Sequence, residues 1–321
     1  MARYLLRRFA FLLVSLALAS VVLFVLLRML PGDPVNALTA VGASPEQIAA
    51  ARHSIGSDRP LPEQFVHWLG QLASGDLGTS FVSSLPVGPE VASRLSVTVP
   101  LTLAAFALAV VLAVPAGFVA AHKRHTWYGA LLSGVSQLGI AIPVFWLGMI
   151  LIAVFALNAG WLPSGGFPPD GWSEPAEAIR SLVLPVATIA LVMSASLIRY
   201  VRSATLDVLG SDYLRTARAL GSSFGGAMWR HGLRNASVPV ISILGIELAS
   251  TLLGAVVVES VYALPGLGSM LATAIAQHDY PVIQGVLFVS TLAVLLIGFV
   301  ADLVQRIIDP RLRGRLSGGA R

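Results

Sequence analysis

Glu247 stands in an otherwise uncharged apolar run from Pro239 to Val258. A carboxylate within such a run is costly in a bilayer and marks a functional candidate by default. It could line a solute path and favour a substrate's amino terminus, carry protons in a secondary transporter, or pack, protonated or hydrogen-bonded, against a partner subunit. A lone acid makes a thin proton relay, and no inverted repeat accompanies it. A second acid, Glu259, closes the same run and precedes the turn Pro265-Gly266-Leu267-Gly268. The other chemically loaded stretch is "DYLRTARALGSSFGGAMWRHGLRNASVP", Asp212 to Pro239, with Arg215, Arg218, Arg230, His231 and Arg234 against a single acid, Asp212. No cysteine or acid stands near His231 at metal-ligand spacing, so it reads as loop structure and no metal site is expected. His122 and His125 flank Lys123 and Arg124 in "AAHKRHT", which lacks the glycines of a phosphate-binding loop. The Ser-x-x-Lys spacing of one serine-hydrolase class is missing as well. The chain therefore reads as a non-enzyme without a cofactor of its own, whose energy comes from partner subunits or an ion gradient.

The 321 residues are 56% hydrophobic and only 12% charged, about half the charge of an average soluble domain. With no cysteine, disulfides and thiolate sites are excluded. Six apolar segments are near or above the ~20 residues that span a bilayer: Phe9 to Leu27, Val97 to Ala121, Ala130 to Leu157, Leu182 to Val201, Pro239 to Val258 and Val282 to Ala301. Interior prolines at 100, 115, 143 and 185 are tolerable where neighbouring helices re-satisfy freed carbonyls. The first run, preceded by Arg7 and Arg8, is long for a cleaved signal and has no convincing cleavage site, so it is read as a retained span. An N-terminus inside puts 16 of the 21 basic residues on the cytoplasmic side and most acids outside. An even number of spans returns the C-terminus to the cytoplasm.

Residues 31–96 are too many and too polar for a turn and read as a small extracytoplasmic helical insertion. Ser44-Pro45-Glu46-Gln47 has the pattern of a capped helix start, and that helix should stop at Gly56. Pro62-Glu63 opens a second, with Phe65, Leu69 and Leu72 on one stripe and Gly75 beyond its end. The remainder, 97–321, forms the core, with a basic loop over 204–237 and an outer loop over 259–281. In the outer loop, Ser269 is expected to cap a helix from Met270 to about Gln277.

In the basic loop, Asp207 or Ser211 is expected to cap a helix through Leu214, Ala217 and Leu220, ended by Gly221. Ser222 or Ser223 then starts a second helix through Trp229 and Leu233. Arg215 and Arg218, three apart, share a face. Such an elbow can hold lipid headgroups or enter a cleft in a cytoplasmic protein. Nucleic acid is disfavoured for so short a membrane-tied segment.

This stretch resembles the cytoplasmic loop of permeases of ATP-binding-cassette (ABC) importers, in the branch that imports dipeptides, oligopeptides and nickel. The superfamily motif is Glu-Ala-Ala, three residues, then Gly. Its first three places fall on Arg215, Thr216 and Ala217, so the glutamate is missing, as is common in this branch. The resemblance continues through "LLRMLPGDP" (26–34), "GDLGTSF" (75–81), "PVFWLGM" (143–149), "VVVESVYALPGLG" (256–268), "DYPVIQG" (279–285) and "DPRLR" (309–313). Together, in order, these are specific, and the long loop after the first span suits the B-type subunit. Gly298 departs from a common asparagine. The resemblance implies a six-helix permease of the type I importer fold in a bacterial cytoplasmic membrane, working by alternating access. It implies a second homologous permease, two cytoplasmic ATPases that bind ATP and magnesium, an extracytoplasmic substrate-binding protein and surrounding lipid. It also assigns Asp212, Tyr213, Arg215, Thr216, Ala217, Arg218, Gly221, His231, Arg234 and Asn235 to ATPase coupling. Glu247, Glu259, Pro265, Gly266 and Gly268 are candidates for the translocation path or its gate. Peptides are the expected cargo, with nickel chelates or haem-like solutes as alternatives.

Overall fold

The computed structural model describes residues 2–29, 44–54 and 56–308. In chain order the helices are α1 (Ala2–Met29), α2 (Pro45–Ser54), α3 (Leu61–Ala73), α4 (Val87–His122), α5 (Trp127–Ala141), α6 (Val144–Leu151), α7 (Pro175–Leu209), α8 (Asp212–Ala219), α9 (Phe224–Ala227), α10 (Leu233–Val261), α11 (Leu267–Gln277) and α12 (Tyr280–Ile308). Two π-helical stretches, Ile152–Asn158 after α6 and Met228–Gly232 before α10, interrupt the α pattern. Among the described residues five helices, α1, α4, α7, α10 and α12, are long and apolar enough to cross a membrane. The count becomes six if the bent pair around Pro143 is one span.

That pair differs from the continuous third span expected. Its halves meet at 102°. Proline restricts the residue before it to extended backbone and offers no N–H to the helix ladder; Ile142 accordingly has ψ 122°. Pro100, Pro115, Pro185 and Pro239 remain inside helices. The bend at Pro143 lets both α5 and α6 pack on α7.

The chain divides into two compact units, Met1–Val99 with Ala263–Leu295, and Pro100–Tyr262 with Leu296–Arg321. In the first unit, Ser44 and Gln47 form the expected reciprocal cap on α2, with Gln47 N–H donating to Ser44 Oγ at 3.3 Å and Ser44 N–H to Gln47 Oε1 at 2.9 Å. Gly56 and Gly75 follow α2 and α3 with φ of +67° and +80°, as glycine permits. Phe65 and Trp68 of α3 pack on Phe24 of α1, with ring centroids 5.3 and 6.0 Å from it, and Trp68 meets Phe288 of α12 edge-on. Beyond them, Leu27, Val87, Val91, Leu267, Met270, Val282, Ile283 and Val286 make an apolar core. It buries one face of α11, as so apolar a helix requires.

Ser269 does not cap α11. The helix begins at Leu267, whose N–H is taken by Thr98 Oγ1 at 2.9 Å. Ser269 Oγ turns back to the carbonyl of Gly266. A hydroxyl from a distant helix has displaced the local one.

The second unit is built on small residues, the usual device where backbones must approach without a hydrophobic drive. A Cβ on Gly139 would lie 2.7 Å from Ala195 Cβ, one on Gly117 2.7 Å from Val201 Cβ, and one on Gly245 2.5 Å from Ala301 Cβ. Tyr262, 1% exposed, closes this unit. Its hydroxyl donates to Gly148 O at 3.2 Å and lies 2.8 Å from Thr188 Oγ1, while its carbonyl accepts from Gly166 N–H at 2.7 Å. Tyr262→Phe removes both contacts, while Thr188 Oγ1 keeps Leu184 O at 2.8 Å and Gly148 O keeps the Ile152 N–H, so the loss should be about 1 kcal/mol. Thermal denaturation in detergent will register this as a midpoint lower by a few degrees; an unchanged midpoint would assign the hydroxyl no structural part.

Candidate functional site

α7 runs to Leu209, so Asp207 lies within a helix and does not cap the next one. Ser211 occupies the N-cap position of α8, but its Oγ donates to Val208 O at 2.6 Å instead of capping. Competition from a carbonyl of the preceding turn, which also accepts the Ser211 N–H at 3.1 Å, decides this. α8 buries Leu214, with Ala217 half-buried, against Val208, Ala227, Met228 and Ala236. Leu220, expected on that stripe, is just past the helix and 82% exposed.

The glycine stop is as expected. Gly221 has φ +90°. Its N–H donates to Arg218 O at 3.0 Å, and the Ser222 N–H reaches back to Ala217 O at 3.1 Å. This is the paired motif that ends a helix on a left-handed residue. Ser223 caps α9 through Gly226 N–H at 3.2 Å. The second helix is not separate from the fifth span, however: α9 passes through the π turn Met228–Gly232 directly into α10. Close packing at this turn is evident at Gly232, where a Cβ would meet Met228 Sδ and lie 3.2 Å from Val208 Cγ1. A π turn inside a helix often accompanies function.

Asp212, Tyr213, Arg215, Thr216 and Arg218 are exposed. Arg215 makes only a loose 3.4 Å contact with Asp212, with both side chains in solvent. Such a pair contributes little and leaves the guanidinium available to a partner. A cleft of about 530 Å³ opens between α8 and α9, bordered by Leu209, Leu214, Arg215, Arg218, Ser222, Ser223 and Phe224. His231 is exposed, and its carbonyl accepts from Asn235 Nδ2 at 2.8 Å. The side chain of Arg234 lies outside the described residues.

Sequence reasoning missed an aromatic column beside this elbow. The His122 ring stacks on Phe224 at 4.7 Å and on Phe118 at 6.0 Å, and Arg218 Cζ lies 6.0 Å from the Phe224 centroid. The i, i+4 spacing of Phe118 and His122 was the available signal; their pairing with Phe224 is purely tertiary.

The candidate path residues are divided between the two units. Glu247 is half-buried on α10 and accepts from Ser196 Oγ of α7 at 2.8 Å. Glu259 is 0% exposed. Its carboxylate therefore does not reach the surface in this conformation. Pro265 lies in a tight turn where Gly266 N–H donates to Leu264 O at 2.9 Å, and Gly268 is buried in α11. Two further landmarks do converge. Asp279, of "DYPVIQG", is 3% exposed and accepts from Ser80 Oγ and from the N–H groups of Phe81 and Val82, in and beside "GDLGTSF". "DPRLR", and "LLRMLPGDP" beyond Met29, lie outside the described residues.

The family described as "Binding-protein-dependent transport system inner membrane component" matches residues 113–314, and its N-terminal companion matches 1–102. Over 313 residues the chain is 38% identical to the glutathione transport system permease protein GsiC of Escherichia coli, covering 98% of this chain and 99% of that protein. It is 37% identical over 313 residues, with the same coverage, to a Brucella abortus protein named provisionally as a peptide transport system permease. Among solved structures, one titled "Inward facing conformations of the MetNI methionine ABC transporter" contains a chain that matches with a TM-score of 0.56 at 18% identity, over 68% of this chain and 96% of that one. Identity that low speaks for the fold alone. With both parts of the chain matched and near-full-length relatives at this identity, the chain belongs to the binding-protein-dependent transport system inner membrane component family and is the permease subunit of an ABC importer.

Proposed function

We propose that this permease imports peptides and forms one half of a translocation path whose other half is a second, homologous permease. Two ATPases dock on the elbow around Gly221 from the cytoplasm, and a substrate-binding protein delivers cargo on the other side. Both termini are cytoplasmic, and 31–96 with 259–281 face outward. ATP and its magnesium stay with the ATPases. The observation that carries this reading is the elbow: exposed Arg215 and Arg218 sit on a helix locked by Gly221, and the chain beyond runs without a break into α10. Movement imposed on the elbow must therefore move a transmembrane helix. The peptide assignment draws on relatives named for glutathione, itself a tripeptide, and for peptide transport. Glu247, at half-burial between α10 and α7, is suited to meet a peptide's amino terminus.

Proteoliposomes holding this chain, its partner permease and the ATPases, supplied with binding protein, test the reading. Labelled tripeptide should accumulate only with ATP and only when the ATPases are present. Uptake of a nickel chelate or haem in preference to peptides would move the cargo assignment within the branch. Peptide uptake by the permeases alone, driven by a proton gradient, would replace the mechanism with secondary transport through Glu247.

A further inference from the structure

The elbow communicates with α10 along the backbone, since α9, the π turn and α10 are one continuous path. No such short backbone route leads to α4, which ends at His122, about a hundred residues before α9 opens at Phe224. The contact between them is made by side chains. Phe118 packs on the apolar cluster of Leu214, Ala227 and Met228. One turn on, His122 lies nearly parallel to Phe118, with 13° between ring planes, and presses on Phe224 at 4.7 Å with 26° between planes. Phe224 opens α9, directly after the Ser223 cap, and carries the Arg218 guanidinium over its ring. Four side chains from α4, α8 and α9 thus form one column, ending on an arginine that is itself exposed.

An apolar helix end needs no such column. A leucine at 122 would bury apolar area without a ring, and a lysine or arginine would serve as a topology anchor. A stack of flat rings, by contrast, resists compression along its normal while permitting sliding, since offset stacked geometries are favoured over a range of displacements. Protein interiors transmit strain because they are close-packed. We propose that Phe118, His122 and Phe224 are positioning residues that relay movement of the elbow into α4, and that a partner's engagement of Arg218 loads this relay at its outer end. The permease then receives the ATPase stroke at two helices, α10 by the backbone and α4 through the column. This rests on the importer reading above.

The experiment uses the complete transporter in proteoliposomes and measures cargo imported per ATP hydrolysed, together with retention of the ATPases during purification. In His122→Ala and Phe224→Leu the ATPases should be retained, while cargo per ATP falls about five-fold, the scale set by the free energy of one aromatic pair. His122→Phe, which keeps a ring in the column, should restore the ratio. A purely structural role would lower ATPase retention and uptake together and leave the ratio unchanged, which would overturn the relay; so would a ratio that fails to recover in His122→Phe. If the unaltered complex does not couple uptake to ATP, the importer reading itself fails; if it couples and the alanine variant couples equally well, the relay alone fails.

Discussion

Gly221→Val should weaken binding of the ATPases by about 30- to 100-fold while leaving the permease folded. The argument is conformational rather than steric, because a Cβ at Gly221 would meet nothing within 4 Å. Its φ of +90° is the difficulty. A β-branched residue there is a genuine outlier, and the left-handed region costs about 1–2 kcal/mol even for less hindered residues. If the backbone relaxes instead, the Gly221 and Ser222 amides leave the carbonyls of Arg218 and Ala217, and α8 loses its stop. Either way about 2–3 kcal/mol is set against the docked shape, and 1.4 kcal/mol is a factor of ten. α8 lies at the surface, so the loss should appear in co-purification and direct binding measurements and hardly at all in the permease's own melting curve. Gly221→Asn, which tolerates positive φ, should bind nearly as the unaltered chain does. Normal binding and uptake in Gly221→Val would remove the elbow from the docking machinery.

Asp279→Ala should be the most damaging single substitution in the first unit, at about 3–4 kcal/mol. Three donors converge on this enclosed carboxylate: Ser80 Oγ, the Phe81 N–H at 3.1 Å and the Val82 N–H at 3.4 Å. Hydrogen bonds to a charged group contribute about 1.5–3 kcal/mol each, and the substitution takes the acceptor from Ser80 Oγ and the Phe81 N–H, while the Val82 N–H keeps Ser80 Oγ at 3.2 Å. Asp279 also begins α12, with Ile283 N–H donating to its carbonyl, so its side chain holds segment 80–82 to the start of that helix. We expect the melting midpoint in detergent to fall by about 10 °C. Faster hydrogen exchange at the Phe81 and Val82 amides should show where the loss occurs. Asp279→Asn keeps one acceptor and should fall between. Unchanged protection at 81 and 82 would mean that the turn is held by its local bonds, in which Ser80 Oγ accepts from the Val82 and Ser83 amides.

Local chemistry explains why some of this is legible in the sequence. The pairing of Ser44 with Gln47, the glycines that follow α2, α3 and α8, and the runs of apolar residues are all decided within a few residues of chain, where hydrogen-bond reach and backbone sterics leave one answer. The choice of cap at Ser211 and Ser269 was not legible, because a hydroxyl has several acceptors in reach and only the tertiary surroundings choose among them. The same holds for Thr98, which caps a helix 169 residues away. Pro143 shows the limit for span counting: five prolines sit within the apolar runs or at their edges, and hydropathy could not say which would bend the chain by 102°.

From its residues alone the chain declares an all-helical membrane protein with a basic, glycine-jointed elbow, since burial in lipid and the left-handed glycine are constraints of composition and of short range. Tertiary structure alone decided that the elbow is continuous with α10, that His122 joins Phe118 and Phe224 in a column, that Glu247 meets Ser196, and that Asp279 closes on Ser80. Each of these is a meeting of side chains or helix ends far apart in the chain. Such meetings depend on how small residues let helices approach, a property of packed pairs that no single segment carries.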